Sequence, residues 1–226
     1  NLALLDHPDS NIIEFAENLS CYGHTIDLAE EGSVKDAISN VGKEFGTFHG
    51  LINNAAATTE YLKEKGNVFK PFEDYSLDVW KHSLDIDLTG TFLTCRESAR
   101  YLSKEESTIV NISSIYGINA PDHRIYKDQE FQSLPSYSAS KAGVIGLSKW
   151  LSTWWATDNI RVNCITPGGV FNDHNDLFVK EYSNRTPLGR MANREELVGI
   201  LLFLMSDLSS YCTGQNFVID GGLSAW

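Results

Sequence analysis

Short apolar runs alternate with longer stretches of helical periodicity down the whole chain, and this alternation restricts the fold more than any other feature. Runs of four to six apolar or β-branched residues bounded by Gly, Asn, Asp or Ser read as buried strands, and the intervening 3.6-residue patterns read as crossover helices. Strands are expected at 2–5, 22–26, 48–52, 108–112, 161–165 and 216–219, and helices at about 10–19, 33–45, 77–102, 136–157 and 194–205. Asp9 and Ser10 offer an N-cap to the first helix. Strand-helix-strand repetition of this kind packs as a parallel sheet between two helical layers, so the expected fold is α/β, a Rossmann-like doubly wound sheet in a three-layer αβα sandwich. No repeat or linker divides the 226 residues, and a single domain over 1–226 is expected.

In such sheets ligands sit beyond the carboxyl ends of the strands. Polar or glycine-rich groups fall at those ends, at Asp6, Asp27, Asn53, Ser114 and Pro167. Tyr137 and Lys141 lie four apart in an expected helix and therefore on one face. A tyrosine with an ordinary pKa near ~10 is a poor base at neutral pH, but a neighbouring ammonium favours its phenolate and makes it a general acid/base. Taken alone, a Tyr-x-x-x-Lys pair arises readily by chance on a surface helix.

Charge and cysteine usage narrow the function further. The formal net charge of −12, from 30 acidic and 18 basic residues, argues against nucleic acid as a partner. Cys21, Cys95, Cys164 and Cys212 form no CxxC pair, so no metal site is expected. No apolar run approaches the ~20 residues that cross a bilayer, and a cytoplasmic protein without membrane attachment is expected.

Ser113-Ser114 at a strand end, Tyr137 to Gly143 (Tyr-Ser-Ala-Ser-Lys-Ala-Gly), Arg161-Val162-Asn163, Pro167-Gly168, Pro187-Leu188-Gly189-Arg190, Thr213-Gly214-Gln215 and Asp220-Gly221-Gly222 together resemble the short-chain dehydrogenase/reductase family. The resemblance covers nearly all of the chain. It implies an oxidoreductase that interconverts a carbonyl and a secondary alcohol with a nicotinamide cofactor, Tyr137 moving the proton. Lys141 would lower the pKa of Tyr137 and touch the nicotinamide ribose, and Ser114 would bond the substrate oxygen. Ser114 is preferred to Ser113 because it directly precedes the Ile115-Tyr116-Gly117 turn. The resemblance also places Asn53 and Ala55 along the adenine ribose, Asp27 at the adenine ring, and Pro167, Gly168, Val170 and Asn172 around the nicotinamide. Asp6 at its strand end would accept the ribose hydroxyls and repel a 2′-phosphate, which favours NAD(H) over NADP(H); the competing reading of Asp6 is a turn before Pro8.

Four departures from the family pattern stand out. The glycine-rich Thr-Gly-x-x-x-Gly-x-Gly turn that holds the pyrophosphate is not found, and the first strand here corresponds to the family's second, so the expectation is a first βα unit missing from a longer protein. Asp87 stands where an asparagine usually anchors a proton relay; it accepts the same hydrogen bond, while its charge can pair with Lys141. Asn172 stands in a threonine's place. The 118–134 segment is longer than usual, and Arg124 and Tyr126 within it are expected to contact a polar, sugar-like substrate, as in relatives associated with surface carbohydrate biosynthesis; the alternative is a solvated loop. Trp150 and Trp154 fit either core or the subunit interface of a homodimer or homotetramer. Rival readings are a non-catalytic binding or assembly subunit, and a sugar-nucleotide epimerase or dehydratase.

Overall fold

A computed structural model describes residues 1–57, 62, 71–127 and 131–226. Its strands are β1 (Ala3–Asp6), β2 (Tyr22–Thr25), β3 (Gly50–Asn53), β4 (Ser107–Ile112), β5 (Ile160–Pro167) and β6 (Asn216–Ile219), and every pairing is parallel. The helices are α1 (Ile12–Asn18), α2 (Glu31–Phe45), α3 (Leu77–Leu84), α4 (Gly90–Ser98), α5 (Pro135–Trp154), α6 (Asp176–Ser183) and α7 (Val198–Leu204). This is the expected Rossmann-like α/β architecture, with every expected strand present to within a residue or two.

The hydrogen-bonded ladder is divided into two sheets. β1 pairs with β2, and β3-β4-β5-β6 form a separate four-stranded sheet. Among the described residues no strand lies between β1 and β3. Helix α2 bridges the two sheets: its Val34, Ala37 and Ile38 pack with Ile26 and Leu5 on one side and with Leu93 of α4 and Phe48 on the other.

Alternation along the strands loads both faces of the four-stranded sheet. Ile109 and Val162 meet Cys95 of α4 and Leu151 and Trp155 at the end of α5, whereas Val110 and Ile165 meet Leu204 of α7. Polar side chains also pair within this core: Asn111 of β4 donates to Ser148 of α5 at 2.9 Å and accepts from Asn53 of β3 at 2.8 Å.

The expected single helix over 77–102 is instead α3, one π-helical turn at Asp85–Thr89, and α4. The wider turn carries Asp87, which is 1% exposed, into the interior. Helix α6, with Asn175 capping it through the Phe178 N–H, has no counterpart in the sequence reading.

Candidate active site

The strand ends and the start of α5 enclose a cavity of about 650 Å³ lined by Ser114, Tyr137, Lys141, Pro167, Gly168 and Val170 together with Asn54 and Ala56. β4 delivers two serines with different tasks. The Ser113 hydroxyl donates to the carbonyl of Lys141 at 2.8 Å and pins the strand end to the helix. Ser114 faces the cavity beside Tyr137 and caps the following turn through the Tyr116 N–H at 3.2 Å. Gly117 lets this turn approach α5: a Cβ there would stand 2.8–2.9 Å from the carbonyl carbon and oxygen of Lys141.

One helical turn beyond Tyr137, the Lys141 ammonium is buried, donates to the Ile112 carbonyl at 3.1 Å, and lies 5.6 Å from the centre of the Tyr137 ring. Burial pushes the Tyr137 pKa up, against the opposing pull of the Ser114 hydroxyl, and burial pushes that of Lys141 down. The resemblance implied a phenol made more acidic by the lysine. In the protein alone, desolvation is the largest influence on the phenol and raises its pKa.

Asp87 reaches this machinery from the π-turn. One carboxylate oxygen accepts from the Ala57 N–H at 2.7 Å and the other from Ser140 at 2.8 Å. Burial raises its pKa, and the Lys141 charge and these two hydrogen bonds oppose the rise.

Other expected site residues fall elsewhere. The Asn53 side chain turns into the core, where it donates to Asn111 and accepts from Thr94 at 2.7 Å, while the adjacent Asn54 faces the cavity. Ala55 is exposed beside them. Asp6 accepts its neighbour His7's N–H at 2.7 Å at the open end of β1, and Asp27 caps the Ala29 N–H at 2.9 Å; neither lines the cavity. Asn172 lies exposed at the rim, where Arg194 donates to its side-chain oxygen.

Part of the cavity lining is aromatic, which local sequence gave little sign of. Tyr116, Tyr126, His174, Phe178 and Tyr182 belong to it. The His174 ring stacks on Phe178 at 5.1 Å and 23°, and the hydroxyls of Tyr116 and Tyr126 are 2.7 Å apart. Arg124 does not join them: it is exposed and doubly hydrogen-bonded to Asp122, which also holds Arg185. Residues 128–130 of the long segment lie outside the described residues.

A dinucleotide is an anionic ligand, and the described lining suits one: it contains Lys141 and Arg194 and no Asp or Glu. A bound nicotinamide would supply the hydride in carbonyl reduction and accept it in alcohol oxidation. Tyr137 is placed to give or take the proton of the reacting oxygen, Ser114 to hydrogen-bond that oxygen, and Lys141 to hold positive charge beneath both.

A parallel α/β sheet whose strand ends gather a Ser-Tyr-Lys set in one cavity defines a nicotinamide-dependent oxidoreductase. Comparison with known proteins specifies the class: a family model described as enoyl-(acyl carrier protein) reductase matches residues 1–224. The chain is 35% identical over 200 residues to trans-4-hydroxycyclohexanecarboxylate dehydrogenase of Sinomonas cyclohexanicum, covering 88% of this chain and 70% of that protein. It is 32% identical over 204 residues to the 3-oxoacyl-(acyl-carrier-protein) reductase of Chlamydia pneumoniae, covering 88% and 75%. A crystal structure of a short chain dehydrogenase from Leptospira borgpetersenii serovar Hardjo-bovis with bound NAD+ superposes with a TM-score of 0.80 at 31% identity, covering 99% of this chain and 93% of that one. The chain belongs to the short-chain dehydrogenase/reductase family and is an oxidoreductase.

Proposed function

We propose that the protein interconverts a carbonyl and a secondary alcohol on a ring-shaped small molecule, sugar-like or alicyclic, with NAD(H) as cofactor. The observation that carries this reading is the placement of Ser114, Tyr137 and Lys141 in a cavity that Tyr116, Tyr126, His174, Phe178 and Tyr182 also line. Flat aromatic faces suit the C–H face of a saturated ring, and the phenolic hydroxyls of the wall offer hydrogen bonds to ring substituents. Arg124 lends the sugar reading no support, because Asp122 occupies its guanidinium; Tyr126, in the wall, does. The Sinomonas relative is named for a hydroxylated six-membered ring, in keeping with a cyclic substrate.

Preference for NAD(H) over NADP(H) rests on Asp6, an exposed carboxylate at the end of β1. Asn54, Ala56, Pro167, Gly168, Val170 and Asn172 are the further cofactor contacts in this reading, with Asp87 acting through Ser140 and Ala57 as a positioning residue. A homodimer or homotetramer is supported by Trp150 and Trp154, stacked 5.2 Å apart and 57% and 65% exposed on the outer face of α5. No helix among the described residues is long and apolar enough to cross a membrane. All four cysteines are unpaired, in keeping with a cytoplasmic setting.

The test is NADH oxidation against a panel of cyclic and acyclic ketones, repeated with Tyr137→Phe. Turnover of cyclic ketones that falls by about 10²-fold or more in the variant is expected. Turnover unaffected by Tyr137→Phe, or confined to acyclic ketones, contradicts the reading.

A further inference from the structure

In this acidic chain the arginines of the described residues are almost all engaged by carboxylates. Arg96 and Arg100 reach Glu97, Arg124 and Arg185 share Asp122, and Arg190 pairs with Glu196. Arg161 is instead committed to the Ser209 hydroxyl and the carbonyls of Leu204 and Ser206.

Arg194 is different. It opens the 3-10 turn Arg194–Leu197 that leads into α7, and it is one of the residues lining the active-site cavity. Its hydrogen bond goes to the neutral Asn172 side chain, and among the described residues no carboxylate pairs with it. With 30 carboxylates against 18 basic residues, a guanidinium is easily neutralised by the protein itself. This one is kept at a cavity whose described lining holds no Asp or Glu. The other strong cation there, Lys141, is buried and turned toward the Ile112 carbonyl. An arginine held in a fixed orientation, with most of its five donors unspent and no competing carboxylate, is suited to an oxyanion that can accept two parallel hydrogen bonds.

We propose that Arg194 binds the diphosphate of the nicotinamide dinucleotide, with Asn172 holding the guanidinium in place. The proposal rests on the reading that this cavity takes the dinucleotide, whose permanent negative charge lies in the diphosphate. It assigns phosphate recognition to a side chain approaching from the α7 side, in addition to whatever backbone donors contribute.

The experiment is calorimetric titration of the unmodified chain, Arg194→Gln and Arg194→Lys with ADP-ribose and, separately, with adenosine. Because Arg194 is exposed, the variants are expected to melt at the wild-type temperature, which a thermal scan checks. Arg194→Gln should bind ADP-ribose about ten-fold or more weakly, adenosine equally well, and Arg194→Lys in between. The ADP-ribose affinity of the unmodified chain should also fall more steeply with added salt than that of Arg194→Gln.

Equal ADP-ribose affinity in Arg194→Gln and the unmodified chain overturns the proposal. So does ADP-ribose binding no tighter than adenosine, which leaves the dinucleotide reading standing; failure of both ligands to bind removes that reading too. Normal ADP-ribose binding with a raised KM for acidic substrates alone assigns Arg194 to a substrate carboxylate and equally overturns the proposal.

Discussion

Gly169 donates its backbone N–H to the phenolic oxygen of Tyr182 at 2.5 Å, and the same glycine lies so close under the ring that an added Cβ would stand 2.6–3.0 Å from its carbons. A residue of the loop after β5 and a residue of α6 thus lock together, and the aromatic wall of the cavity is set by a contact that only glycine permits. Burial pushes the Tyr182 pKa up to about 12, so the phenol keeps its proton across the physiological range.

Gly169→Ala should force that ring outward. Overpacking of this kind costs about 1–3 kcal/mol, and the displaced phenol enlarges the substrate compartment. KM for the ketone should rise several-fold while kcat changes less, because Ser114, Tyr137 and Lys141 are held by other contacts. A thermal melt and a Michaelis profile check both; unchanged KM and Tm would show that the ring contact is slack.

Asp87→Asn should be tolerated and should stabilise the protein at neutral pH. The amide oxygen keeps the Ala57 N–H, and the amide N–H group donates to Ser140, whose own hydrogen then serves the Tyr137 carbonyl, already 2.9 Å away. Every hydrogen bond is retained and one buried charge is removed, at the loss of its attraction to Lys141. The Asp87 pKa is raised on folding, so its contribution to stability is fully present below the unfolded-state value and is lost as pH rises through the folded one. The advantage of asparagine should therefore be absent in acid and appear toward neutrality, each ~1 kcal/mol moving Tm by about 2–4 °C in a chain of this size. Melting both proteins across pH tests the sign. Asp87→Ala, which strands the Ala57 N–H, should instead cost about 1–3 kcal/mol.

The burial that raises the Tyr137 pKa also sets the direction of the pH profile. The protonated phenol is the competent form for carbonyl reduction, and the phenolate for alcohol oxidation. Reduction should hold level through neutrality and decline on the alkaline side, and oxidation should climb with pH. Profiles of kcat/KM in both directions, with and without Tyr137→Phe, decide the matter. Oxidation that peaks below neutrality would mean that Lys141 overcomes desolvation of the phenol.

How much of this was legible in the sequence depends on how local the signal was. Strands declared themselves as apolar runs, whereas the Ser-Tyr-Lys set stood out from a chance helical pair only through the surrounding motifs that resemble the short-chain dehydrogenase/reductase family. Asn53 and Asn54 were distinguishable in principle. Leu51 packs in the core behind the sheet, so Asn53, two positions on, shares its inward face, and Asn54 with Ile52 points to the cavity. The π-turn was invisible, since the apolar pattern of 77–102 is equally that of an unbroken helix. The aromatic wall was invisible for another reason: Tyr126, Phe178 and Tyr182 come from segments about fifty residues apart and meet only through tertiary packing. The Arg124 expectation failed to foresee Asp122, which competes for the guanidinium from two residues away.

That competitor is itself testable, because Asp122 joins the two segments that build the aromatic wall. It accepts from Arg124 at 2.8 Å within its own turn and from Arg185 just beyond α6, and these partners hold its carboxyl well below the usual carboxylate range. Arg185 is tied further to Glu181, and its carbonyl accepts the indole N–H of Trp226. A depressed pKa contributes stability that is present above the unfolded-state value and is lost as pH falls through the folded one. Asp122→Asn should therefore mimic strong acid at this one joint. It keeps one acceptor but loses the charge, so α6 and the Tyr126 turn are held together less firmly. Exposed ion pairs are worth about 0.2–1 kcal/mol each, and this shared, partly buried one should lie at or somewhat above the top of that range. The expected result is a KM several-fold higher for the ketone with cofactor affinity unchanged, because the joint touches the substrate wall and not Arg194 or Lys141. A variant that loses cofactor affinity instead would place the 118–127 segment at the dinucleotide rather than at the substrate.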